Sequence, residues 1–149
     1  GLSFISSLTY LENHTVVGGV NNDIQIADVL KKQIEYGVSL TRRIVELDIG
    51  QTVVFKDKAI VAVESLEGTD NTIRRAHRIC RGGFIVIKLA RRNQDLRFDV
   101  PVVGLGTINL LKRCRAQALV LAQGKTLMLN KEKFLNHANK SKIPVVGVA

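Results

Sequence analysis

Short apolar runs that alternate with segments of helical periodicity limit the fold of this chain more than any other feature. The runs are rich in Val, Ile and Leu, and the segments between them repeat apolar residues at helical spacing. Strands and helices that interleave along a chain are typical of α/β proteins. The predicted strands are residues 52–56, 59–64, 84–89, 119–122, 126–129 and 145–148, and the predicted helices are residues 23–49, 72–80, 107–114 and 130–140.

Some of the predicted strands are separated by very short connections. Only the dipeptide Asp57-Lys58 stands between the first two strands, which predicts a tight hairpin, and a second hairpin is predicted around Gly124. We expect residues 84–89 to pair in parallel beside residues 59–64, with the intervening helix as the crossover. The predicted fold class is therefore α/β, a mixed sheet with interleaved helices and short hairpins.

The first part of the chain differs from the rest. Residues 1–22 have weak periodicity, and the run TVVGGVNN at residues 15–22 resembles a loop or linker. Asn22 or Asp23 can cap the first long helix. We therefore predict that residues 1–22 are a linker or the tail of an upstream domain, and that residues 23–149 form the folded domain.

The charge of the chain favours anionic partners. The formal net charge is +9, an excess that attracts polyanions, phosphorylated ligands or an anionic membrane surface. Nucleic acid is disfavoured because aromatic residues make up 5% of the chain, Trp is absent, and the sequence has no zinc-finger or aromatic RNA-binding signature. Two alternatives to an enzyme stay open at this point: a basic nucleic-acid-binding module and a non-catalytic interaction domain.

The sequence carries no sign of export or of membrane insertion. It has no apolar run of membrane-spanning length and no signal peptide at its start. Cys80 and Cys114 form no CxxC pair and are expected to be reduced thiols. We expect a cytoplasmic protein.

One segment concentrates ionisable residues in a pattern that packing does not require. In the run QDLRFDVP at residues 94–101, Asp95, Arg97 and Asp99 alternate with apolar residues. If the segment is extended, these three side chains share one face, with same-face neighbours about 6.5–7 Å apart. Carboxylates can hold Mg²⁺ or orient water, and a guanidinium can clamp phosphate oxygens. The simpler interpretation is an exposed strand face with mutual salt bridges.

A second candidate site lies between a predicted strand and a predicted helix. In the run EGTDNT at residues 67–72, Gly68 permits a tight turn and Thr69 or Asp70 can cap the helix. The free backbone N–H groups of a helix start can bind an anion, although a simple capping loop would have the same sequence.

Other motifs are weaker. Gly104 and Gly106 open a partial dinucleotide turn, but Asn109 occupies the position of the third glycine, so NAD binding is not predicted. The three histidines lack ligand spacing with the cysteines, and zinc is not predicted either.

Three motifs, in order along the chain, resemble those of one known family. They read DIGQ at residues 48–51, VAVESLEGTD at residues 61–70 followed by Arg74 and Arg75, and KLARRNQDLRFDVPVVG at residues 88–104. Together they resemble the signatures of the C-terminal catalytic domain of LpxI-type UDP-2,3-diacylglucosamine diphosphatases, enzymes of lipid A synthesis. The resemblance extends over roughly residues 24–148.

This resemblance implies a hydrolase that splits UDP-2,3-diacylglucosamine into UMP and 2,3-diacylglucosamine 1-phosphate with the help of Mg²⁺ or a similar divalent cation. It implies a two-domain protein whose own N-terminal domain precedes this one. From the basic charge we further expect a peripheral place on the inner-membrane surface, and from the low aromatic content no nucleic-acid partner. The oligomeric state stays open, with a homo-oligomer among the alternatives. The implied catalytic residues and metal ligands are Asp99 and Asp95, and the implied substrate-binding residues are Lys88, Arg97, Gln94, Thr69, Asp70, Glu67 and Arg74. We expect residues 67–72 and 94–101 to line one pocket at the carboxyl ends of neighbouring strands.

Overall fold

The computed structural model describes residues 8–91 and 100–149. Within these ranges the chain forms eight strands, four α-helices and a short 3₁₀ turn at Glu12–His14. The strands are β1 (Gly19–Val20), β2 (Thr52–Lys56), β3 (Ala59–Val63), β4 (Ile85–Lys88), β5 (Val102–Val103), β6 (Ala118–Ala122), β7 (Leu127–Met128) and β8 (Val145–Val148), and the helices are α1 (Asp28–Glu46), α2 (Thr69–Cys80), α3 (Leu105–Arg113) and α4 (Lys131–Lys140).

Six of the described strands form one mixed sheet in the order β1-β8-β6-β4-β2-β3. Strands β4, β6 and β8 are parallel, whereas β2 is antiparallel to both of its neighbours and β1 is antiparallel to β8. Strands β5 and β7 form a separate parallel pair. The predicted α/β class with a mixed sheet and interleaved helices is confirmed.

The sheet has a helix layer on each face. Helix α1 packs on one face, where its buried Ile34 and Val38 meet Phe55 and Ile87 of the sheet. Helices α2, α3 and α4 cover the other face, and their buried residues pack against alternate side chains of β2, β4, β6 and β8. Since both faces are covered, the central strands are buried almost throughout and read as continuous apolar runs in the sequence.

The first predicted hairpin is confirmed. Strands β2 and β3 pair antiparallel, and Asp57 and Lys58 between them both have left-handed φ values of 46° and 68°. Two consecutive residues in this region make a turn whose twist matches that of the flanking strands. The second predicted hairpin is wrong, because β7 pairs with β5 instead of with β6.

The predicted pairing of residues 84–89 beside residues 59–64 is also wrong. Strand β2 lies between β3 and β4 and is hydrogen-bonded to both. Because β2 is antiparallel to each of them, β3 and β4 still run in the same direction. Their carboxyl ends therefore meet the same edge of the sheet, together with the start of β2.

In the described part of the chain, some residues before Asp23 pack with the sheet. Strand β1 extends the sheet beside β8, and Val16 is 1% exposed within the core under α2–α4. The Asn22 side chain accepts a hydrogen bond from the Val145 N–H at 2.9 Å and donates one to the Ile143 carbonyl at 3.0 Å. The Asn22 side chain therefore binds the backbone at the start of β8 instead of capping α1. Helix α1 begins five residues later than Asp23.

Gly50 lies where two segments of the chain pass in close contact. Helix α1 ends at Glu46, and a Cβ at residue 50 would lie 1.9 Å from the Glu64 carbonyl oxygen. The chain that enters β2 thus passes directly against the chain that leaves β3, and any side chain at residue 50 would force them apart.

We expect Gly50→Ala to lower the free energy of unfolding by about 1–3 kcal/mol, the usual cost of overpacking a tight contact. Gly106→Ala is the matched control, because a Cβ there meets no atom within 4 Å, and Ala is preferred to Gly in a helix. Urea unfolding of both variants checks this expectation. Equal stability of the two variants would contradict the close contact at residue 50.

Candidate active site

An open cleft of about 410 Å³ lies at the sheet edge where β3 and β4 end and β2 begins. Ligands of open α/β sheets usually bind at such an edge, outside the carboxyl ends of the parallel strands. The three sequence motifs meet here, since each contributes to the lining. The lining residues are Asp48, Ile49, Gly50, Gln51, Glu64, Ser65, Leu66, Lys88, Arg91 and Pro101.

A chain of hydrogen bonds joins two lining residues of the cleft, Lys88 and Glu64, to two neighbouring threonines. The Lys88 ammonium donates to the Thr69 hydroxyl at 2.7 Å, and the Thr69 hydroxyl donates to Glu64 Oε1 at 2.9 Å. The Thr52 hydroxyl lies 3.2 Å from that of Thr69. A cation, a carboxylate and two hydroxyls therefore form one connected polar group.

Each member of this group stands at the end of a secondary-structure element. Lys88 is the last residue of β4, Glu64 directly follows β3, and Thr52 is the first residue of β2. Thr69 is the first residue of α2. The Glu64 N–H donates to the Thr52 carbonyl at 2.8 Å, so the backbone ladder continues up to the polar group. The side chains are thus held by regular structure rather than by a loose loop.

An ion pair stands on the rim of the cleft. Arg91 Nε donates to Asp48 Oδ1 at 2.7 Å, and both side chains are largely exposed. The Leu89 N–H donates to the Gln51 carbonyl at 3.0 Å, which fixes the chain just before Arg91. An exposed pair of this kind contributes little to stability, but it places a guanidinium beside the Lys88 ammonium around one cavity.

The acidic candidates of the loop before α2 face different surroundings. Arg75 forms a salt bridge with Glu67 and also donates to the Val63 carbonyl at 2.8 Å. The hydrogen bond from Arg75 lowers the pKa of the Glu67 carboxyl, and the Thr72 hydroxyl, 3.0 Å from Glu67 Oε1, acts in the same direction. Glu67 therefore serves to tie the start of α2 to the end of β3.

Asp70 and Arg74 form an exposed pair at 3.7 Å on the first turns of α2. Asp70 also borders a small cavity of about 80 Å³ next to Thr69 and Lys88. Of the predicted site residues that the structure describes, Lys88 lines the main cleft, whereas Thr69, Asp70, Glu67 and Arg74 do not. The structure thus brings Lys88 and Thr69 together, with Asp70 beside them, and places Glu67 and Arg74 in contacts within the domain.

The remaining predicted site residues, Gln94, Asp95, Arg97 and Asp99, lie outside the described residues. The expectation that residues 67–72 and 94–101 line one pocket stays a prediction for that segment. Arg91 and Pro101, which stand on either side of it, both line the cleft. Among the described residues, no group of three or more His, Cys, Asp or Glu side chains could hold a metal ion.

Sequence reasoning missed Glu64, Thr52 and Asp48 as site residues. Two of them, Glu64 and Asp48, stand inside the motifs that carry the family resemblance, and this position could have indicated them as site residues. The β2–β3 pairing and the resulting proximity to Lys88 could not be read from spacing along the chain. Thr52 gave no signal, because a threonine at the start of a strand is common.

The fold and the cleft define a class of protein: an α/β domain with a polar site at the carboxyl edge of its sheet, whose described lining carries two cations, Lys88 and Arg91, and two carboxylates, Asp48 and Glu64. The family model for the LpxI C-terminal domain matches residues 18–146, and the chain belongs to this family. It is similar to the UDP-2,3-diacylglucosamine pyrophosphatase LpxI of Caulobacter vibrioides, with 30% identity over 123 residues. The match covers 77% of this chain and 44% of that protein, so the chain spans less than half of its relative.

The helices give no sign of a membrane span. In residues 8–91 and 100–149, none of them combines the length and the apolar character that crossing a bilayer requires.

We expect Arg75→Gln to raise the pKa of Glu67 toward its ordinary value, because the largest cause that lowers it is removed. Arg74→Gln, on the neighbouring residue, is the control and should leave that pKa nearly unchanged. A pH titration of the Glu side-chain carboxyl carbons by NMR measures both. Because folding lowers the pKa of Glu67, its contribution to stability is present above the unfolded-state pKa and is lost as pH falls through the folded-state pKa. Equal titration of Glu67 in both variants would contradict this assignment.

Proposed function

We propose that this domain hydrolyses the phosphoanhydride of UDP-2,3-diacylglucosamine, giving UMP and 2,3-diacylglucosamine 1-phosphate. The observation that carries the proposal is the Lys88 ammonium, held by Thr69 in a cleft to which all three family motifs contribute. Membership of the LpxI C-terminal family and the name of the Caulobacter relative support it. In the reaction, the oxygen of water forms a bond to one phosphorus and the bond from that phosphorus to the bridging oxygen breaks.

The cationic groups of the cleft suit a diphosphate. Lys88 and Arg91 line the cavity, and Arg97 belongs to the segment that follows. Positive charge beside the bridging and terminal oxygens stabilises the negative charge that the leaving phosphate gains as the bond breaks. In this proposal Lys88 and Arg97 carry that role, and Gln94 and Asp70 contact the substrate beside them.

The carboxylates of the same edge suit a hard cation. Asp95 and Asp99 would hold Mg²⁺ or a similar divalent ion, since this ion prefers oxygen ligands and retains several waters. Two carboxylates that line the described part of the cleft, Asp48 and Glu64, are of the same donor type, so the chemistry of the site fits such an ion. When bound, the ion would reduce the charge on the phosphate oxygens. Asp99 or Asp95 would also orient the attacking water by accepting its hydrogen bond.

The surroundings of the substrate form a further part of the proposal. The net charge of +9 would favour approach to an anionic inner-membrane surface that carries the acylated substrate, with the domain bound there peripherally. The relative is more than twice as long as the matched region, which leaves room for an N-terminal domain beside this one. The proposed location is the cytoplasmic side of the membrane.

The test is incubation of the protein, at its full natural length, with UDP-2,3-diacylglucosamine and Mg²⁺, with release of UMP as the readout. We expect Asp95→Ala and Asp99→Ala to lower turnover by about 100- to 10,000-fold, the range for a group that handles a proton or water. Lys88→Met should lower it by about 100- to 1,000-fold, the usual effect of losing one donor to a developing negative charge. Chelation of divalent ions should abolish turnover and added Mg²⁺ should restore it.

Lys112→Met is the matched control for charge, because Lys112 is an exposed lysine on α3, away from the cleft. Its turnover and its thermal unfolding should both equal those of the wild type. Normal hydrolysis by both Asp variants would place the chemistry elsewhere in the protein. Absence of UMP with every metal tried would overturn the proposal, and binding to polyanions without turnover would favour the basic nucleic-acid-binding module instead.

A further inference from the structure

The Thr69 hydroxyl is surrounded by three polar groups at hydrogen-bonding distance. Lys88 Nζ lies 2.7 Å away, Glu64 Oε1 lies 2.9 Å away, and the Thr52 hydroxyl lies 3.2 Å away. A threonine hydroxyl has one proton to donate and two lone pairs that accept. The three neighbours therefore occupy the one donor position and both acceptor positions of the Thr69 hydroxyl.

The chemistry of the neighbours fixes the direction of every bond. An ammonium is a donor only, so Thr69 must accept from Lys88. The Glu64 carboxylate is an acceptor only, so the single Thr69 proton must point to Glu64. The Thr52 hydroxyl then has to be the donor in its contact with Thr69. No proton of Thr69 is left for a phosphate oxygen of a substrate.

We propose that Glu64 and Thr69 are positioning residues that together aim the Lys88 ammonium into the cleft. Glu64 orients the Thr69 hydroxyl, and the oriented hydroxyl presents its lone pair to Lys88. This inference rests on the proposed function for the role of Lys88, and it changes the role of Thr69, which the sequence suggested as a direct substrate ligand. It also gives a role to Glu64, which the sequence analysis left without one.

Lys88 needs such an anchor because its side chain is a flexible four-carbon stem that ends in a compact charge. The ammonium has three N–H bonds, Thr69 accepts one of them, and Lys88 is among the residues that line the cleft. In this proposal the other two N–H bonds donate to anionic oxygens of the substrate. Holding a catalytic charge in place before the substrate arrives removes the cost of ordering it during the reaction.

The anchor itself is rigid. Thr52 is fully buried, and its carbonyl accepts the Glu64 N–H at 2.8 Å. Thr52 is also paired in register with Lys88 across the β2–β4 ladder. Thr52 and Lys88 therefore stand in adjacent strands and Glu64 directly follows a third, and backbone hydrogen bonds connect all three residues.

Glu64 also lines the cleft, so a direct role as general base or metal ligand is the competing explanation. Replacing Glu64 by glutamine distinguishes the positioning role from a direct role as base or metal ligand. In the variant Glu64→Gln, the new amide side chain keeps an oxygen that accepts from Thr69, whereas it lacks the charge that a base or a metal ligand requires. Glu64→Ala loses both the accepting oxygen and the charge.

The experiment compares kcat and KM for UMP release by four variants. Thr69→Val and Glu64→Ala should lower kcat by about 10- to 100-fold, the effect of a slight misplacement of a catalytic group, with a smaller change in KM. Thr69→Ser and Glu64→Gln should recover most of the lost kcat. Thr41→Val is the matched control, since the buried Thr41 hydroxyl donates to the Gly37 carbonyl at 2.8 Å within α1 and its loss should leave kcat unchanged.

A second measurement does not depend on turnover. In protein with ¹⁵N-labelled lysine side chains, the Lys88 ammonium signal, assigned by its absence in Lys88→Met, should show slowed proton exchange in the wild type. Exchange should become fast in Thr69→Val and Glu64→Ala and stay slow in Thr69→Ser and Glu64→Gln. This pattern would support the anchor even if UDP-2,3-diacylglucosamine proved not to be a substrate, so failure of the proposed function is distinguishable.

Three outcomes would overturn the inference. Glu64→Gln as inactive as Glu64→Ala would show that Glu64 acts directly on the substrate or on a metal. A rise in KM with unchanged kcat in Thr69→Val would show that Thr69 binds substrate. Fast exchange of the Lys88 ammonium in the wild type would show that the hydrogen bond to Thr69 does not hold the side chain.

Discussion

The site depends on one pairing in the sheet, the position of β2 between β3 and β4. Strand β2 is antiparallel to both neighbours, so its start lies at the edge where both of them end. Thr52 and Lys88 occupy the first and last positions of their strands at that edge, and Glu64 directly follows β3 there. This order brings the ammonium, the carboxylate and the hydroxyl to one edge of the sheet. The close passage of Gly50 against the Glu64 carbonyl secures the same arrangement just outside the ladder.

Around this edge, three of the described cations have assigned partners. Lys88 contacts Thr69, Arg91 contacts Asp48, and Arg75 contacts Glu67. Lys88 and Arg91 line the cleft. Arg75 instead joins the end of β3 to the start of α2 and is not among the described lining residues. Such partners hold charged side chains in a fixed direction, which a site for an anionic ligand needs more than it needs a large number of charges.

The segments predicted as strands and helices were largely the segments that form them. The hairpin of β2 and β3 could be predicted because Asp57-Lys58 leaves room for only a tight turn, and β8 because a short apolar run closes the chain. The sequence was a poorer guide to which strands pair with each other. Strand β7 follows β6 after a short turn and yet pairs with β5, and β4 lies beside β2 rather than β3. Partner choice depends on which buried faces fit against the helices, and that information is spread over the whole chain.

By itself, the sequence determined the α/β class, because the alternation of buried runs and amphipathic segments permits few other arrangements. It also determined the family, through motifs whose order along the chain is specific, and it singled out Lys88 and Thr69. Only the tertiary structure decided that Glu64 and Thr52 join them, that Glu67 and Arg74 serve contacts within the domain, and that residues before Asp23 complete the sheet. The physical reason is that hydrogen bonds between residues distant in sequence are fixed by strand order and register. Spacing along the chain does not contain that order.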